Sequence, residues 1–308
     1  MTECERIIKE GILPESFFIP ETICDFYVDE QRKKIWAIEI DLYLELERVC
    51  NKHGIRLFTD GGTTLGAIRH KGFIPWDDDL DVCMLRKDYE LLKTLTTEFE
   101  HPYFLQNSAT DPEYGFSFMK LCNSNTAYDV RPFTHAIFNH GIHIDIFPID
   151  KVTTDDYLDR RNKIEKLISA NSAYMRKDLP CKTDRDEQMI KTYLNGFVSC
   201  LNTWEQIEST AMVDEDKDTD YLSLLVSTQY KPERKIWPKH IFDNAIKMPF
   251  SGIWVNVPIG YYEQLTIYFG NFMEYPPKEQ RGAWHSAQFF PDTPYKEYYK
   301  QTYNVTHK

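Results

Sequence analysis

The clearest periodic pattern in the chain covers residues 30–53. Charged residues, Glu39 and Asp41 among them, are interspersed with apolar residues at spacings of three and four. This spacing predicts an amphipathic helix that Gly54 ends. The apolar positions are Ile35, Ile38, Leu42, Leu46 and Val49.

The remaining elements are predicted from the spacing of apolar residues and from the glycines and prolines that interrupt it. Residues 55–58, 80–84, 116–121 and 142–147 have strand patterns, whereas 87–98, 155–172, 186–212 and 261–272 have helical spacing. A short helix, capped by Thr63 or Thr64, is expected to continue to Arg69. Residues 11–28 contain two prolines among aromatic residues and predict an extended arm, and the acidic stretch 214–220 predicts a solvated connection.

Composition narrows the class of protein. The 308 residues contain 36 Lys and Arg against 48 Asp and Glu, so the formal net charge is −12. Such an acid excess argues against a polymeric nucleic acid as partner. The seven cysteines lack any C-x-x-C pair, which indicates reduced thiols and a cytoplasmic location. Neither a secretion signal nor a membrane-spanning stretch is recognisable, so export and membrane spanning are both disfavoured.

Four carboxylates in residues 77–81 are the most informative feature of the sequence. Side chains two apart on a strand share a face, so Asp79 and Asp81 point the same way and could bind Mg²⁺ or Mn²⁺. The mutual repulsion of these acids also requires a positive group nearby. The alternative is an acidic loop that caps the next helix, and Asp77 and Asp78 could be loop carboxylates of that kind. The register does not fit an EF-hand.

A second acid lies in an alternating strand. In residues 141–148 the isoleucines share one face, while His143, Asp145 and Phe147 share the other. Asp145 could complete a three-carboxylate site. Two alternatives remain open: a half-exposed edge strand with polar residues in water, and a zinc cluster of His140, His143 and Asp145.

The turn at residues 60–66 has a composition that suits a phosphate ligand. Gly61 and Gly62 allow close approach of the backbone, and the first N–H groups of a helix favour an anion. The pattern is neither a P-loop nor a dinucleotide fingerprint. The alternative is that the two glycines only make a tight turn between strand and helix. The downstream acids favour a phosphate-binding turn, because phosphate donors and Mg²⁺ sites occur together. Arg69, His70 and Lys71 could add positive charge.

Together these segments resemble the signature of the LicD family of phosphotransferases, which is related to the fukutin group. The resemblance lies in residues 62–81, which read GTTLGAIRHKGFIPWDDDLD, and continues at 143–150 and at 268–273 with Pro276, Pro277 and His285. It covers roughly residues 30–285. This chain differs in having Asp60 and Gly61 before the signature, and Asn271 where an acid is common.

The resemblance implies an α+β fold with a nucleotidyltransferase-like core, in which helices flank a mixed sheet, and a mainly helical C-terminal part. The corresponding divisions are an arm at 1–29, a catalytic core at 30–150 and an acceptor-side region at 151–308. In the family pattern, the metal and catalytic residues correspond to Asp79, Asp81 and Asp145. Those expected to bind the donor are Gly61, Gly62, Thr63, Thr64, Arg69 and Lys120.

The implied activity is metal-dependent transfer of phosphocholine, or of a similar phospho-alcohol. The donor would be CDP-linked, such as CDP-choline, and the acceptor a sugar hydroxyl of a cell-surface glycan or its lipid-linked precursor. The enzyme would work in the cytoplasm, with peripheral contact at the inner face of the membrane. Two alternatives are transfer of a nucleoside monophosphate to a small molecule and a non-catalytic nucleotide-binding protein of the same fold.

Overall fold

A mixed sheet lies at the centre of the chain. The computed structural model describes residues 1–130, 137–178, 183–227, 232–282 and 287–304. The α-helices of these residues are α1 (Glu3–Lys9), α2 (Glu30–His53), α3 (Gly61–Arg69), α4 (Arg86–Lys93), α5 (Tyr157–Met175), α6 (Asp184–Leu194), α7 (Cys200–Ala211), α8 (Tyr261–Phe269) and α9 (Tyr295–Tyr303).

The strands are mostly short. They are β1 (Glu21–Ile23), β2 (Phe26–Val28), β3 (Phe58–Thr59), β4 (Asp81–Leu85), β5 (Tyr103–Gln106), β6 (Met119–Asn123), β7 (Ala127–Val130), β8 (Ile142–Val152), β9 (Tyr221–Ser223), β10 (Ile236–Pro238), β11 (Ala245–Phe250), β12 (Ile253–Pro258) and β13 (Ala287–Phe290).

The long strand β8 is the centre of the sheet. It pairs in parallel with β4 along one edge, and β4 pairs antiparallel with β3. Along its other edge β8 pairs antiparallel first with β6 and then, at its C-terminal end, with β9. β5 extends the sheet beyond β6, and β10 extends it beyond β9. The combination of this mixed sheet with helices confirms the predicted α+β class.

Helix α2 packs across the sheet and is more deeply buried than an amphipathic surface helix. The side chain of Asp29 caps it by accepting from the Arg32 N–H, and Gly54 ends it in the left-handed conformation with φ of 69°. Glu39 and Asp41 are 1% and 2% exposed. The helix limits are thus as predicted, but these two acids lie inside the protein rather than on a solvated face.

The N-terminal arm is a packed part of the fold. Residues 1–29, the predicted arm, contain α1 and the β1–β2 hairpin. Ile7 of α1 is fully buried in the main core. Arg6 forms an ion pair with Asp41 of α2, which attaches α1 to the central helix.

The C-terminal region continues the same sheet. β9 and β10 belong to it, and β11 and β12 form a hairpin, so this region adds short strands to the helices α5–α9. Residue 150, where a division was expected, lies inside β8. The pairing of β9 with Asp150–Val152 places both sides of this position in one sheet. The predicted helix 186–212 is two helices, α6 and α7, with Gly196 at a φ of 79° between them. Within the described residues, no helix combines the length and apolar character needed to cross a bilayer.

Candidate active site

Three chemically important residues lie side by side on adjacent strands. Asp81 at the start of β4 pairs with Asp145 of β8, and Asp145 pairs on its other edge with Lys120 of β6. Aligned positions on neighbouring strands project their side chains to the same face of a sheet. The register therefore brings Asp81, Asp145 and Lys120 into one row across the sheet.

Lys120 supplies positive charge at the end of this row. Its ammonium lies 3.0 Å from Asp145 Oδ1 and 2.6 Å from His143 Nε2. His143 Nδ1 is 3.0 Å from the Gly141 carbonyl. Because an ammonium only donates and a carbonyl only accepts, this arrangement corresponds to neutral His143 with its proton on Nδ1. Lys120 thus contacts Asp145 and His143, and it is the positive group that the repulsion between the acids requires nearby.

The most compact cluster of acids lies in the loop before β4, whereas the predicted metal ligands are Asp79, Asp81 and Asp145. In the described part of the chain, one group of three metal-ligating side chains has ligand atoms within 4.8 Å of one another, and it is Asp77, Asp78 and Asp79. The carboxyl groups of Asp77 and Asp79 are close enough to share a hydrogen bond. Asp81 and Asp145 are not part of this group, and Asp77 and Asp78 lie in the loop before β4.

The acids raise one another's proton affinity. Desolvation, followed by the charges of Asp79, Asp145, Asp60 and Asp77, raises the pKa of Asp81 well above its usual value. Desolvation and then Asp79 do the same to the pKa of Asp77. Carboxylates crowded at a partly buried site favour a proton or a hard cation between them. The donor set therefore fits Mg²⁺ or Mn²⁺, which prefer carboxylate oxygens.

The glycine turn precedes α3 and is fastened to the start of β4. Gly61 has φ of 46°, and the N–H groups of Thr63 and Thr64 donate to the Asp60 carbonyl. The hydroxyl of Thr63 accepts a hydrogen bond of 2.8 Å from the Asp81 N–H. Thr63 and Thr64 are buried, so their side chains hold the turn in place. Gly61 and Gly62 occupy the first helical positions, whose N–H groups have no intrahelical acceptor.

Gly62 makes the closest approach to the acid loop. A Cβ atom at this position would lie 2.9 Å from Asp77 Oδ2. Only glycine therefore leaves the Asp77 carboxylate where it is, against the first turn of α3. The turn and the acid cluster are in contact, as the phosphate interpretation of the sequence requires.

Asp60 anchors the turn to the C-terminal region, a link that the sequence did not reveal. Its buried carboxylate accepts from Gln264 Nε2 at 3.1 Å and from the Tyr268 hydroxyl at 3.0 Å, both on α8. The buried ammonium of Lys235 donates to the Tyr268 oxygen at 2.8 Å. Tyr268 is the first residue of the stretch 268–273 that resembles the family pattern. His285 lies outside the described residues.

Arg69 lies at the opposite end of α3 from the glycine turn. Eight helical steps separate it from Gly61, or about 12 Å along the axis. Its guanidinium donates to the carbonyls of Phe272 and Glu274 at 2.9 and 3.0 Å and lies over the Tyr275 ring. The structure thus places Arg69 apart from the glycine turn, where it ties α3 to the C-terminal region. Its role as a phosphate clamp stays a prediction.

The charges of the acids also act on Glu39 and Tyr128, although neither was singled out from sequence. Burial and then the charges of Asp79, Asp78, Asp77 and Asp81 raise the pKa of Glu39 well above its usual value. The Tyr128 hydroxyl is affected by several of the same carboxyl groups, which raise its pKa after burial. The ring of Tyr128 also meets that of His143 edge-on at 4.9 Å.

The zinc alternative for His140 and His143 is not supported. His140 is buried and stacks between the rings of Phe138 and Tyr299, at 4.0 and 4.3 Å. His143 is engaged by Lys120 and Gly141. These two histidines do not appear in the metal-ligating group found among the described residues.

Comparison with known proteins agrees with this geometry. Residues 54–166 match the family model LicD/FKTN/FKRP, nucleotidyltransferase domain. This segment contains α3, β4, β6 and β8, and with them the glycine turn, the acid loop and the row of Asp81, Asp145 and Lys120. These residues are similar to the nucleotidyltransferase domain of that family. The family resemblance drawn from the motifs is confirmed.

Curated relatives extend the similarity beyond the domain. The chain is 28% identical over 247 residues to lipopolysaccharide cholinephosphotransferase LicD of Haemophilus influenzae, covering 79% of this chain and 91% of that protein. It is 28% identical over 116 residues to human ribitol 5-phosphate transferase FKRP, covering 36% of this chain and 21% of that protein. Both relatives are named as transferases, in agreement with the prediction that this chain is a phosphotransferase.

Proposed function

We propose that this LicD-family chain is a metal-dependent phosphotransferase. It moves phosphocholine, or a similar phospho-alcohol, from a CDP-linked donor such as CDP-choline to a sugar hydroxyl. The observation that carries the proposal is the row of Asp81, Asp145 and Lys120 beside a glycine turn with two helix-start N–H groups. The names of the relatives support transfer of a phosphate-bearing group.

The acids are proposed to hold the metal. Asp79, Asp81 and Asp145 provide carboxylate oxygens on one side of the sheet edge, and Asp77 and Asp78 lie beside them. Bound there, Mg²⁺ or Mn²⁺ would neutralise the donor diphosphate and stabilise the departing nucleoside monophosphate. This role explains why so many carboxylates are tolerated in one place.

The glycine turn is proposed to bind the donor diphosphate through its backbone. The N–H groups of Gly61 and Gly62 begin α3, where the helix dipole favours an anion. The side chains of Thr63 and Thr64 are committed to Asp81 and Thr59, at 2.8 Å in each case. Their contribution to donor binding is therefore to fix the shape of the turn.

Asp145 is the proposed general base. The oxygen of the acceptor hydroxyl attacks the distal phosphorus of the donor, the bond from this phosphorus to the CMP oxygen breaks, and Asp145 takes the hydroxyl proton. Lys120 lies 3.0 Å from Asp145 and fixes its orientation. The same ammonium is placed to offset negative charge next to the transferred group.

The acceptor is proposed to be a glycan of the cell surface or its lipid-linked precursor. This rests on the name of the Haemophilus relative, a lipopolysaccharide cholinephosphotransferase. The reaction would take place in the cytoplasm, at the inner face of the membrane for a lipid-linked acceptor. The net charge of −12 opposes an anionic bilayer, so peripheral contact would require a local basic or aromatic patch.

The direct test is release of CMP from CDP-choline, with Mg²⁺ and candidate glycan acceptors. We expect CMP and a glycan whose mass increases by phosphocholine. Asp81→Asn should abolish release while the protein stays folded, and Asp243→Asn, which changes an exposed acid, serves as the control. Release of CMP by Asp81→Asn with normal metal dependence would contradict the proposed site. A product that carries the nucleoside monophosphate would instead identify nucleotidylyl transfer.

A further inference from the structure

Lys120 directs its ammonium to two side chains of the neighbouring strand. In the register of β6 and β8, Lys120 pairs with Asp145, and His143 follows on the diagonal of the same sheet face. The Nζ atom of Lys120 lies 2.6 Å from His143 Nε2 and 3.0 Å from Asp145 Oδ1. The ammonium therefore lies between a histidine ring and the proposed general base.

The two contacts of Lys120 differ in kind. The contact with His143 has the geometry of a hydrogen bond. Asp145 Oδ1 is buried and has no hydrogen-bond partner within the residues that the structure describes, although the Lys120 ammonium is 3.0 Å away. The hydrogen bond of Lys120 thus goes to His143, and Asp145 receives the positive charge without it.

The backbone sets the form in which His143 accepts this hydrogen bond. Its Nδ1 atom lies 3.0 Å from the carbonyl of Gly141, and a carbonyl only accepts. The proton of the neutral ring is therefore on Nδ1, and the lone pair of Nε2 points to Lys120. The ring of Tyr128 packs edge-on against the imidazole, with 4.9 Å between the centroids, and limits its rotation. His143 is thus a fixed acceptor.

Two aromatic rings also contact the ammonium of Lys120. Its Nζ atom lies over the rings of Phe116 and Phe118, 4.8 and 5.6 Å from their centroids. Such cation–π contacts attract the charge but do not direct its N–H bonds. Lys120 is 7% exposed, so water supplies little of its hydrogen bonding. Of these neighbours, His143 is therefore the one that determines where the ammonium points.

We propose that His143 is a positioning residue of the transferase reaction. By accepting the Lys120 hydrogen bond, it keeps the ammonium from hydrogen-bonding to Asp145, so that this carboxylate stays open to the acceptor hydroxyl. The Lys120 charge remains beside the transferred group, at a fixed distance from the base. This inference rests on the function proposed above, and it assigns His143 no contact with the donor, the acceptor or a metal ion.

The first test observes the histidine itself and does not require the reaction. In the full chain labelled with ¹⁵N-histidine, at about pH 8 where an ordinary histidine is neutral, NMR nitrogen shifts show which ring nitrogen carries the proton. We expect His143 to carry it on Nδ1, with the signal assigned by its loss in His143→Gln. A proton on Nε2 would overturn the proposal, because that nitrogen could then not accept from Lys120.

The second test compares two amides at position 143. His143→Gln places an amide near the position of Nε2 and keeps an acceptor for Lys120, whereas the shorter His143→Asn places it near Nδ1 and leaves Lys120 without one. In CMP release from CDP-choline, we expect His143→Asn to lower kcat by about tenfold to a hundredfold, with the KM of the donor changed by less than about threefold. His143→Gln should restore most of kcat.

His240→Asn is the matched control for these variants. The side chain of His240 is 61% exposed and pairs with Glu263, so its replacement should leave kcat and KM unchanged. An equal loss of kcat in His143→Asn and His143→Gln, or no loss in either, would overturn the proposal. A loss confined to KM would also overturn it, since it would indicate direct contact with a substrate.

The two tests separate this inference from the proposed reaction. If CMP is released but the proton of His143 is on Nε2, the reaction stands and the role of His143 is refuted. If no CDP-linked donor yields CMP, the reaction is refuted together with any role of His143 in it, while a proton on Nδ1 still supports the hydrogen bond from Lys120. The NMR test uses the unaltered chain, so it decides the question even if His143→Asn does not fold.

Discussion

The Asp81 N–H donates a hydrogen bond of 2.8 Å to the hydroxyl of Thr63. The first residue of the acidic strand is therefore attached to the first turn of the helix that begins at the glycines. The Asp60 N–H, which donates to the Asp81 carbonyl at 3.1 Å, makes the attachment reciprocal. The metal-binding and phosphate-binding parts of the proposed site are thus held together by two hydrogen bonds of one residue.

Thr63→Val should destabilise the protein and impair the reaction. Valine preserves the shape of threonine but leaves the Asp81 N–H without its acceptor, at a cost of about 1–3 kcal/mol in the free energy of unfolding. Movement of Asp81 should lower the rate of CMP release by about tenfold to a hundredfold. Urea unfolding and the CMP assay measure the two effects. Thr63→Ser keeps the hydroxyl and should restore both, and equal behaviour of the two variants would refute the role of the hydrogen bond.

Gly62→Ala should impair metal binding without destabilising the fold. The new Cβ would meet Asp77 Oδ2 at 2.9 Å, so the carboxylate has to move. Alanine favours a helix by up to about 1 kcal/mol over glycine, so the free energy of unfolding should stay equal or increase. Mn²⁺ affinity from calorimetry and the rate of CMP release should both fall. Gly282→Ala, where no atom lies within 4 Å of the added Cβ, is the control. Unchanged Mn²⁺ affinity would show that Asp77 does not contribute.

His70 should titrate far below an ordinary histidine. Burial, and then the neighbouring charge of Arg69, lowers its pKa to about 4. Since the folded value lies below the unfolded one, the stability from neutral His70 is present above about pH 6.5 and is lost as the pH falls through 4. Protonation also removes the Nε2 acceptor of Arg69, which lies 3.0 Å away. A histidine NMR titration, assigned with His70→Phe, measures the pKa. A value of 6.5 or higher would contradict this environment.

The alternation of one strand and the limits of one helix could be predicted from the sequence. Alternation in residues 142–147 placed His143 and Asp145 on one face, and the structure confirms that alternation. The limits of α2 also followed from its apolar spacing and from Gly54. These features are local, since they depend on the period of one element and on one residue with a left-handed backbone. Strand register, which adds Lys120 to the row, depends on pairing between distant segments.

The residues that the sequence did not single out are those whose burial depends on tertiary packing. Glu39 is a charged residue in a helix with apolar spacing, so its sequence pattern indicates a solvated position, and only the tertiary packing of α2 buries it. Arg69 lies near the acids in sequence, but a nine-residue helix places it at the far end from the glycine turn. The length of the predicted helix already indicates this separation.

Tyr268→Phe should weaken the attachment of the glycine turn to α8. The Tyr268 hydroxyl joins Lys235 to the carboxylate of Asp60, at 2.8 and 3.0 Å, and all three residues are buried. Without the hydroxyl, both charged groups lose a partner, and the free energy of unfolding should fall by about 1–3 kcal/mol. Because Asp60 precedes Gly61, the rate of CMP release should also fall.

Tyr262→Phe is the matched control for Tyr268→Phe, since Tyr262 lies on the same helix and is 69% exposed. Urea unfolding and CMP release should be unchanged in Tyr262→Phe, because water already solvates its hydroxyl. If Tyr268→Phe were as stable and as active as Tyr262→Phe, the C-terminal helix would not support the turn through this hydroxyl. The buried chain of contacts would then have a packing role only.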